Sequence, residues 1–191
     1  MKKEQVRDSK DVLDVERNKL AKLIKGIVLD HKIIKISPKE IDDCENLNTL
    51  EAQNMAEIVN LLNIGKNKKE KIKVVVDCPS NNLFAWKNTF ISFLEFKENL
   101  NIFCEHKADV NHVSASAASI LAKFTREEEV SKIKKEFGEI GSGYPSDPYT
   151  KKFLEEKGLE LKDSGIFRKS WATWKNRFHE VKKGQKNLGD F

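Results

Sequence analysis

Two short apolar runs, each followed by acidic residues, constrain most strongly what this 191-residue chain can fold into. The first is Val74-Val75-Val76, which ends at Asp77, and the second covers residues 101–104 and leads into a polar segment containing Asp109. An unbroken apolar run is typical of a strand that is covered on both faces. Residues at helical spacing precede, separate and follow these runs. The alternation of strands and helices predicts an α/β fold.

Capping signals and apolar spacing predict the helices. Ser37 and Glu40 match a capping box with Pro38 in the first helical position, so a helical turn should begin there, after a short strand at residues 32–36. Asn48, with an acid three residues on, predicts the start of the next helix. The other helices are indicated by Leu20, Leu23, Ile24 and Ile27; by a predicted core stripe of Trp86, Phe90, Phe93 and Leu94; by residues 114–137 and 149–157; and by Trp171, Trp174, Phe178 and Val181.

Composition excludes several classes of protein. Charged residues make up 34% of the chain, and no apolar run reaches the roughly 18 residues that a membrane-spanning helix needs. The Lys-rich start has no apolar stretch behind it, so no signal peptide is expected. Three widely spaced cysteines without a CxxC pair indicate reduced, mostly buried thiols of an intracellular, cytoplasmic protein. The net charge of +5 is concentrated in residues 168–186, which contain seven cationic residues and a single anionic one, Glu180.

Asp77 and Asp109 form a candidate metal site. Each follows a predicted strand, at the edge where α/β sheets bind their ligands. Two neighbouring carboxylates repel each other unless a cation lies between them, and a hard divalent ion such as Mg²⁺ accepts one or two carboxylates together with water and phosphate oxygens. The alternative is that either residue is only a helix cap or a turn residue.

A glycine-rich loop at residues 141–148 presents one aromatic residue, Tyr144. The loop is not a P-loop, because no Gly-Lys-Ser/Thr follows it. A tyrosine on such a loop could stack on a sugar or base and hydrogen-bond a ribose 2′-OH, the group that distinguishes RNA from DNA. The alternative, a tyrosine that packs the turn against the core, is equally compatible with the residues.

Several sequence blocks, in this order, closely resemble ribonuclease HII of the archaeal type. The blocks are Asp8-Ser9-Lys10, Asn48-Thr49-Leu50-Glu51-Ala52, Val76-Asp77-Cys78-Pro79-Ser80-Asn81-Asn82, His106-Lys107-Ala108-Asp109, Ser116-Ala117-Ala118-Ser119-Ile120-Leu121-Ala122-Lys123, Arg126, Gly141-Ser142-Gly143-Tyr144-Pro145-Ser146-Asp147 and Arg168-Lys169-Ser170-Trp171. The resemblance implies an RNase H-like mixed β-sheet flanked by helices, with a C-terminal helical extension. It also implies an endonuclease that cuts the RNA strand, or single embedded ribonucleotides, of RNA/DNA duplexes in DNA replication and repair.

The resemblance also assigns roles to residues. Such enzymes resemble hydrolases that use two Mg²⁺ or Mn²⁺ ions held by four carboxylates, of which Asp77 corresponds to the third and Asp109 to the fourth. Tyr144 corresponds to the residue that contacts the ribose at the RNA-DNA junction. Phosphate contacts are implied for three cations, although cations near a helix also serve as ordinary salt-bridge partners: Lys107, Lys123 and Arg126.

One departure from the family pattern is informative. Family members begin with a strand bearing an Asp-Glu pair and a Gly-Arg-Gly turn, then a second strand, and these first two strands are absent from this chain. Asp42-Asp43 does not replace the pair, because it follows a capping box and should be helical. We therefore expect that the sequence is an N-terminally truncated record of an active enzyme, with Met1 an internal residue or a misassigned start. The expected organisation is a catalytic domain at residues 1–160, a basic helical segment at 161–183 and a tail at 184–191.

The tail contains a candidate partner site. Gln185, Leu188 and Phe191 resemble the peptide with which replication enzymes dock on the sliding clamp (PCNA), where Leu188 and Phe191 would share one face of a helical turn. The alternative is a disordered tail that ends in a chance aromatic. The leading prediction is therefore a monomeric ribonuclease HII recruited by a clamp to RNA/DNA substrates. The alternatives are a catalytically inactive, clamp-tethered nucleic-acid-binding remnant and an unrelated α/β RNA-binding protein.

Overall fold

The computed structural model describes residues 14–62 and 70–178. The elements, in chain order, are α1 Asp14–Ile27, α2 Pro38–Asp43, α3 Leu47–Leu61, β1 Ile72–Asp77, α4 Leu83–Ser92, β2 Leu100–Glu105, α5 Ala108–Asn111, α6 Val113–Phe137, α7 Pro148–Lys157 and α8 Ala172–Phe178. The predicted α/β class is confirmed. Among these described helices, none has the length and apolar character needed to cross a membrane.

The sheet of the described residues consists of β1 and β2, which pair in parallel. The register sets Val74 opposite Ile102 and Asp77 opposite Glu105, so both strands end at the same edge. Helix α4 provides the connection between the strands, as a parallel pair requires a crossover. Both predicted apolar runs are therefore strands.

The sheet is covered by α3 and α4. One core cluster joins the inner faces of these helices to β1: Ala52, Ala56, Val59, Val74, Val76, Cys78, Trp86, Phe90 and Leu94. Trp86 and Phe90 stack with ring centroids 5.8 Å apart. The predicted aromatic stripe is thus mainly core, but Phe93 caps the C-terminal end of α4 and is partly exposed.

A second cluster joins α1 to α6. Its buried members are Ala21, Ile24, Ile120, Leu121 and Phe124. Arg17 of α1 pairs with Glu127 of α6, and Lys35 Nζ lies 2.5 Å from Glu129 Oε1. Both clusters belong to the first of two compact units, which contains the described residues of Met1–Lys35 and Glu45–Lys132.

The second unit contains Ile36–Cys44 and the described residues of Ile133–Phe191. Its aromatic rings form a chain: Phe153 contacts Phe167, Phe167 contacts Trp174, and Trp174 contacts Phe178, with centroids 4.6 to 6.2 Å apart. Trp171 precedes α8, and its ring centroid lies 3.6 Å from the Arg168 guanidinium carbon. Val181, predicted on the same helix face, lies outside the described residues.

Asp42 links α2 to the segment before α8. Its carboxylate accepts hydrogen bonds from Lys169 N (2.6 Å), Ser170 N (3.0 Å) and Ser170 Oγ (2.6 Å). Burial raises the pKa of Asp42, but these hydrogen bonds and the Arg168 charge outweigh burial and hold that pKa below its ordinary value. Asp42 is helical, as predicted, and its carboxylate binds the backbone of the Arg168-to-Trp171 block.

Two local predictions are wrong. Residues 32–36 are not a strand, because a strand needs a hydrogen-bonded neighbour and the described residues provide none for this segment. The N-cap of α3 is Asn46, whose side chain accepts from Thr49 N, whereas Asn48 lies inside the helix. The capping box at Ser37 and Glu40 is confirmed. The thiols of Cys44, Cys78 and Cys104 are free, as predicted, but the expected burial holds only for Cys78; Cys44, at the end of α2, and Cys104, on β2, are half-buried.

Candidate active site

The carboxyl ends of β1 and β2 bring the predicted acidic residues into one region of the first unit. Asp77 is the last residue of β1 and lies opposite Glu105, the last residue of β2. The ladder continues one step further, since Cys78 N donates to Glu105 O at 2.9 Å. The parallel register thus makes this edge common to both strands.

Asp77 is connected directly to the segment that carries Asp109. Asp77 Oδ1 accepts a hydrogen bond of 3.1 Å from Ala108 N, the first residue of α5 and the neighbour of Asp109. Lys107, just before it, has φ 57°, a left-handed conformation that is uncommon for a residue with a side chain. This turn leads the chain from β2 into α5, and the Ala108 N–H bond joins the segment that carries Asp109 to the end of β1.

Three further polar residues at this edge were not predicted to take part. The His106 ring Nδ1 lies 3.2 Å from Cys78 O, which ties the residue after β2 to the residue after β1. His112 Nε2 lies 2.5 Å from Glu105 Oε1. His106 belongs to the Asp109 block, and Glu105 and His112 flank it on either side. Their closeness in sequence to that block is the signal that could have identified them.

The donor set determines what metal this edge could hold. Asp77 is exposed and Asp109 is half-buried, and two carboxylates are the usual protein contribution to one Mg²⁺. The described residues contain no group of three or more acidic, histidine or cysteine side chains placed to bind an ion. Two carboxylates are a donor set that one hard divalent ion accepts, and residues 14–62 and 70–178 do not by themselves make the four-carboxylate, two-ion site.

The three cations predicted to contact phosphates lie in two places: one lies just after β2 in the chain, and the other two are on α6. Lys107 is exposed at the turn before α5. Lys123 and Arg126 are three residues apart on α6, a spacing that places them on the same helix face, and both are half-buried.

The glycine-rich loop of the second unit is held by its own residues. Asp147 is the N-cap of α7: Oδ1 accepts from Tyr149 N (2.8 Å) and Oδ2 from Ser142 N (2.5 Å). Hydrogen bonds from Ser142, followed by those from Tyr149 and Thr150, lower the pKa of Asp147 to about 2. Tyr144 is 49% exposed. Half of its surface is therefore accessible to a ligand and half is covered, which is compatible both with a contact residue and with a tyrosine that packs the turn.

Comparisons with known proteins identify the family. The family model described as Ribonuclease HII matches residues 1–174. The chain belongs to the ribonuclease HII family. Ribonuclease HII of Methanococcus maripaludis strain C5 is 40% identical over 185 residues, covering 94% of this chain and 75% of the relative.

Solved structures of ribonuclease HII proteins show the same fold. The ribonuclease H2 of Pyrococcus horikoshii OT3 superposes with a TM-score of 0.75 at 34% identity, covering 90% of this chain and 79% of that chain. The ribonuclease HII in the PCNA:RNase HII complex of Archaeoglobus fulgidus gives a TM-score of 0.75 at 31% identity, covering 97% and 83%. The resemblance and the RNase H-like fold predicted from the sequence are confirmed.

Within the ribonuclease HII framework, the roles of the individual residues remain predictions. This holds for Asp77 and Asp109 as metal ligands, for Tyr144 as a ribose contact and for the three cations as phosphate contacts. Gln185, Leu188 and Phe191 lie outside the described residues, as does the whole of the predicted tail at residues 184–191.

Proposed function

We propose that this protein is an endonuclease that hydrolyses the RNA strand, or embedded ribonucleotides, of RNA/DNA duplexes during DNA replication and repair. The observation that carries the proposal is the pairing of Asp77 with the Asp109 segment at the shared end of two parallel strands, in a chain that matches ribonuclease HII over residues 1–174. Ligands bind at such strand ends in α/β proteins.

Asp77 and Asp109 are proposed to hold a divalent ion, Mg²⁺ or Mn²⁺. Such an ion, when bound, would polarise the scissile phosphate and stabilise developing charge on oxygen. The chain's own contribution is orientation: the Ala108 N–H fixes Asp77 Oδ1, and the left-handed turn at Lys107 sets the start of α5. Because the Ala108 donor uses one Asp77 oxygen, the other oxygen of this exposed carboxylate is available for a ligand.

The remaining predicted residues are proposed to bind substrate. Lys107, Lys123 and Arg126 would contact backbone phosphates, which position a duplex without reading its sequence. Tyr144, which the loop leaves exposed, would contact the ribose and select a nucleotide that has a 2′-OH.

A second candidate function is a catalytically inactive, clamp-tethered protein that binds RNA/DNA duplexes. The observation that favours it is the lack of a third metal-binding side chain beside Asp77 and Asp109 within residues 14–62 and 70–178. Such a protein would use Tyr144 and the cations at residues 168–177 and would leave the duplex intact.

Cleavage of a DNA duplex with one embedded ribonucleotide tests both proposals. The 191-residue chain, and a form extended with any residues encoded in frame upstream, are incubated with Mg²⁺ or Mn²⁺, with an all-DNA duplex as control. We expect the extended form to cut 5′ or 3′ of the ribonucleotide and to leave the all-DNA duplex uncut. Binding without cleavage by either form would support the inactive protein and overturn the endonuclease.

Asp77→Asn sharpens this assay. The amide oxygen of the substituted side chain can still accept the Ala108 N–H, so the fold is expected to persist while the charge that would hold an ion is lost. Since metal stabilisation of the transition state is worth several kcal/mol, cleavage should fall by about a thousandfold. An unchanged rate, with an unchanged thermal transition, would exclude Asp77 from the metal site.

The proposed clamp contact is tested separately. Gln185, Leu188 and Phe191 are proposed to dock in an apolar groove of the cognate clamp. The structural neighbour from Archaeoglobus fulgidus is a PCNA:RNase HII complex, which supports this class of partner. Binding of the full chain to the purified cognate clamp is measured for the wild type and for Phe191→Ala. Loss of binding is expected, and undiminished binding would overturn the proposal.

A further inference from the structure

The structure points to Thr150 as a positioning residue for Tyr144. We propose that its hydroxyl fixes the backbone immediately before Tyr144 and so orients the ring toward the ribose. The inference rests on the proposed function in which Tyr144 contacts the substrate, and it adds a residue that no motif in the sequence singled out.

The Thr150 hydroxyl forms two hydrogen bonds that span the loop. Its Oγ1 accepts from Gly143 N at 2.9 Å and donates to Ile140 O at 2.9 Å. A threonine hydroxyl has one proton to donate. Here it donates that proton to the carbonyl oxygen of Ile140, the buried residue that precedes the loop. The acceptor side holds the residue that directly precedes Tyr144.

Asp147 holds the other parts of the same loop. Its carboxylate accepts from Ser142 N, and its backbone N–H donates to Tyr144 O at 3.0 Å. The backbone is thereby bound on both sides of the Tyr144 side chain, at the Gly143 N–H and at the Tyr144 carbonyl. Tyr144 itself remains 49% exposed. A fixed backbone that presents an exposed ring is the geometry of a preorganised contact residue.

Close packing reinforces this arrangement. Gly141 has φ 70°, and a Cβ at this position would lie 2.7 Å from Asp147 Oδ2, Thr150 N and Thr150 Oγ1. The loop therefore lies directly on the first turn of α7, and α7 is anchored in turn by the buried Phe153. Thr150 is attached to a rigid element, which suits a residue that positions a loop.

Thr150 does not act as the helix cap. The N-cap function of α7 is carried out by Asp147, which accepts from Tyr149 N. The hydroxyl of Thr150 instead bonds to residues seven and ten positions earlier in the chain. The Thr150 hydroxyl therefore stabilises the loop that contains Tyr144 and not the end of the helix.

The test compares Thr150→Val with Thr150→Ser in the form of the chain that cleaves the single-ribonucleotide duplex. Valine keeps the shape and removes both hydrogen bonds, whereas serine keeps the hydroxyl. We expect Thr150→Val to lower kcat by about ten- to a hundredfold with little change in KM, because misplacing a positioning group by about 1 Å has effects of this size. Thr150→Ser should restore most of kcat.

A double-mutant cycle with Tyr144→Ala shows whether Thr150 acts through Tyr144. If it does, Thr150→Val should have almost no further effect once the ring is gone, since residues that act as a unit are non-additive. Thr89→Val is the matched control, because it removes a hydroxyl that bonds to Ala85 O in α4. An unchanged kcat in Thr150→Val, or an equal loss in the Tyr144→Ala background, would overturn the proposal.

Hydrogen exchange separates failure of this inference from failure of the proposed function. Exchange of the Gly143 amide is measured without substrate. Thr150→Val should speed it by about tenfold or more relative to the wild type and to Thr150→Ser, because its acceptor is lost. If no form of the protein cleaves the duplex, the endonuclease proposal fails while this measurement still tests the clamped loop. Unchanged exchange would overturn the role of Thr150 whatever the activity.

Discussion

The strand-end region around Asp77 and the loop around Tyr144 are held by contacts of different range. Asp77 is fixed by Ala108, thirty-one residues later, and His106 reaches Cys78, twenty-eight residues earlier. In the loop, by contrast, Thr150 reaches no further than Ile140, ten residues earlier. Bringing distant residues together has an entropy cost that only a formed sheet and core can offset. The strand-end region therefore depends on the core beneath it, and the loop depends on its own residues.

Phe90→Ala is expected to have the largest effect, because it removes the core below the strand-end region. Phe90 is fully buried and stacks on Trp86 beneath the sheet. The free energy of unfolding should fall by about 3 to 5 kcal/mol, the usual cost of such a truncation. Urea denaturation measures it, with Phe84→Ala as the control, because Phe84 is 78% exposed on the same helix. Similar losses for the two variants would contradict the assigned core.

Gly141→Ala tests the loop in the same way. A methyl group at this position would meet Asp147 and Thr150 at 2.7 Å in addition to straining a φ of 70°. We expect a loss of about 2 to 4 kcal/mol in the free energy of unfolding.

Gly138→Ala is the matched control for Gly141→Ala. It also has a positive φ, 90°, but its added Cβ would meet nothing within 4 Å. Strain alone should lower the free energy of unfolding by about 1 kcal/mol. Equal losses at the two glycines in urea denaturation would show that the close packing of the loop contributes nothing.

The pH dependence of the loop follows from Asp147. Its pKa in the folded protein is lowered from 3.8 to about 2, chiefly by the hydrogen bonds from Ser142. A lowered pKa means that the carboxylate stabilises the fold fully above about pH 4 and that this contribution is lost as the pH falls toward 2.

Asp147→Asn should therefore be less stable than the wild type at pH 5, and this difference should narrow as the pH is lowered to about 2.5. Urea denaturation of both proteins at the two pH values provides the measurement. A difference that stays constant across this window would show that the Asp147 charge is not used by the loop.

Ser116→Ala is expected to have the smallest effect. The Ser116 hydroxyl is buried in α6 and has no hydrogen-bond partner among the described residues, unlike the bonded polar groups of the Tyr144 loop. Removing an unsatisfied buried hydroxyl should leave the free energy of unfolding unchanged or raise it by up to about 1 kcal/mol. A clear loss in thermal or urea unfolding would contradict an unsatisfied hydroxyl at Ser116.

Sequence motifs predicted the structure correctly where the interactions that stabilise it join residues close together in the chain. The capping box at Ser37 and Glu40 involves residues three positions apart, and it forms as predicted. The start of α3 was misplaced by two residues, because Asn46 and Asn48 are both good caps and only the backbone geometry decides between them. Residues 32–36 have the composition of a strand, but composition does not provide the neighbouring strand that a ladder requires.

The sequence by itself determined the family, the two apolar strands, the order of the helices and the identity of Asp77, Asp109 and Tyr144 as candidates. These conclusions rest on residue type, spacing and chain order, which can all be read directly from the linear sequence. The sequence also predicted that Asp77 and the Asp109 segment share an edge, but tertiary structure alone decided how they are joined: the parallel register aligns Asp77 with Glu105, and the Ala108 N–H donates to Asp77. It also revealed Thr150 and Asp147 as the residues that hold the Tyr144 loop, since a hydroxyl or carboxylate takes its role from the donors that folding places around it.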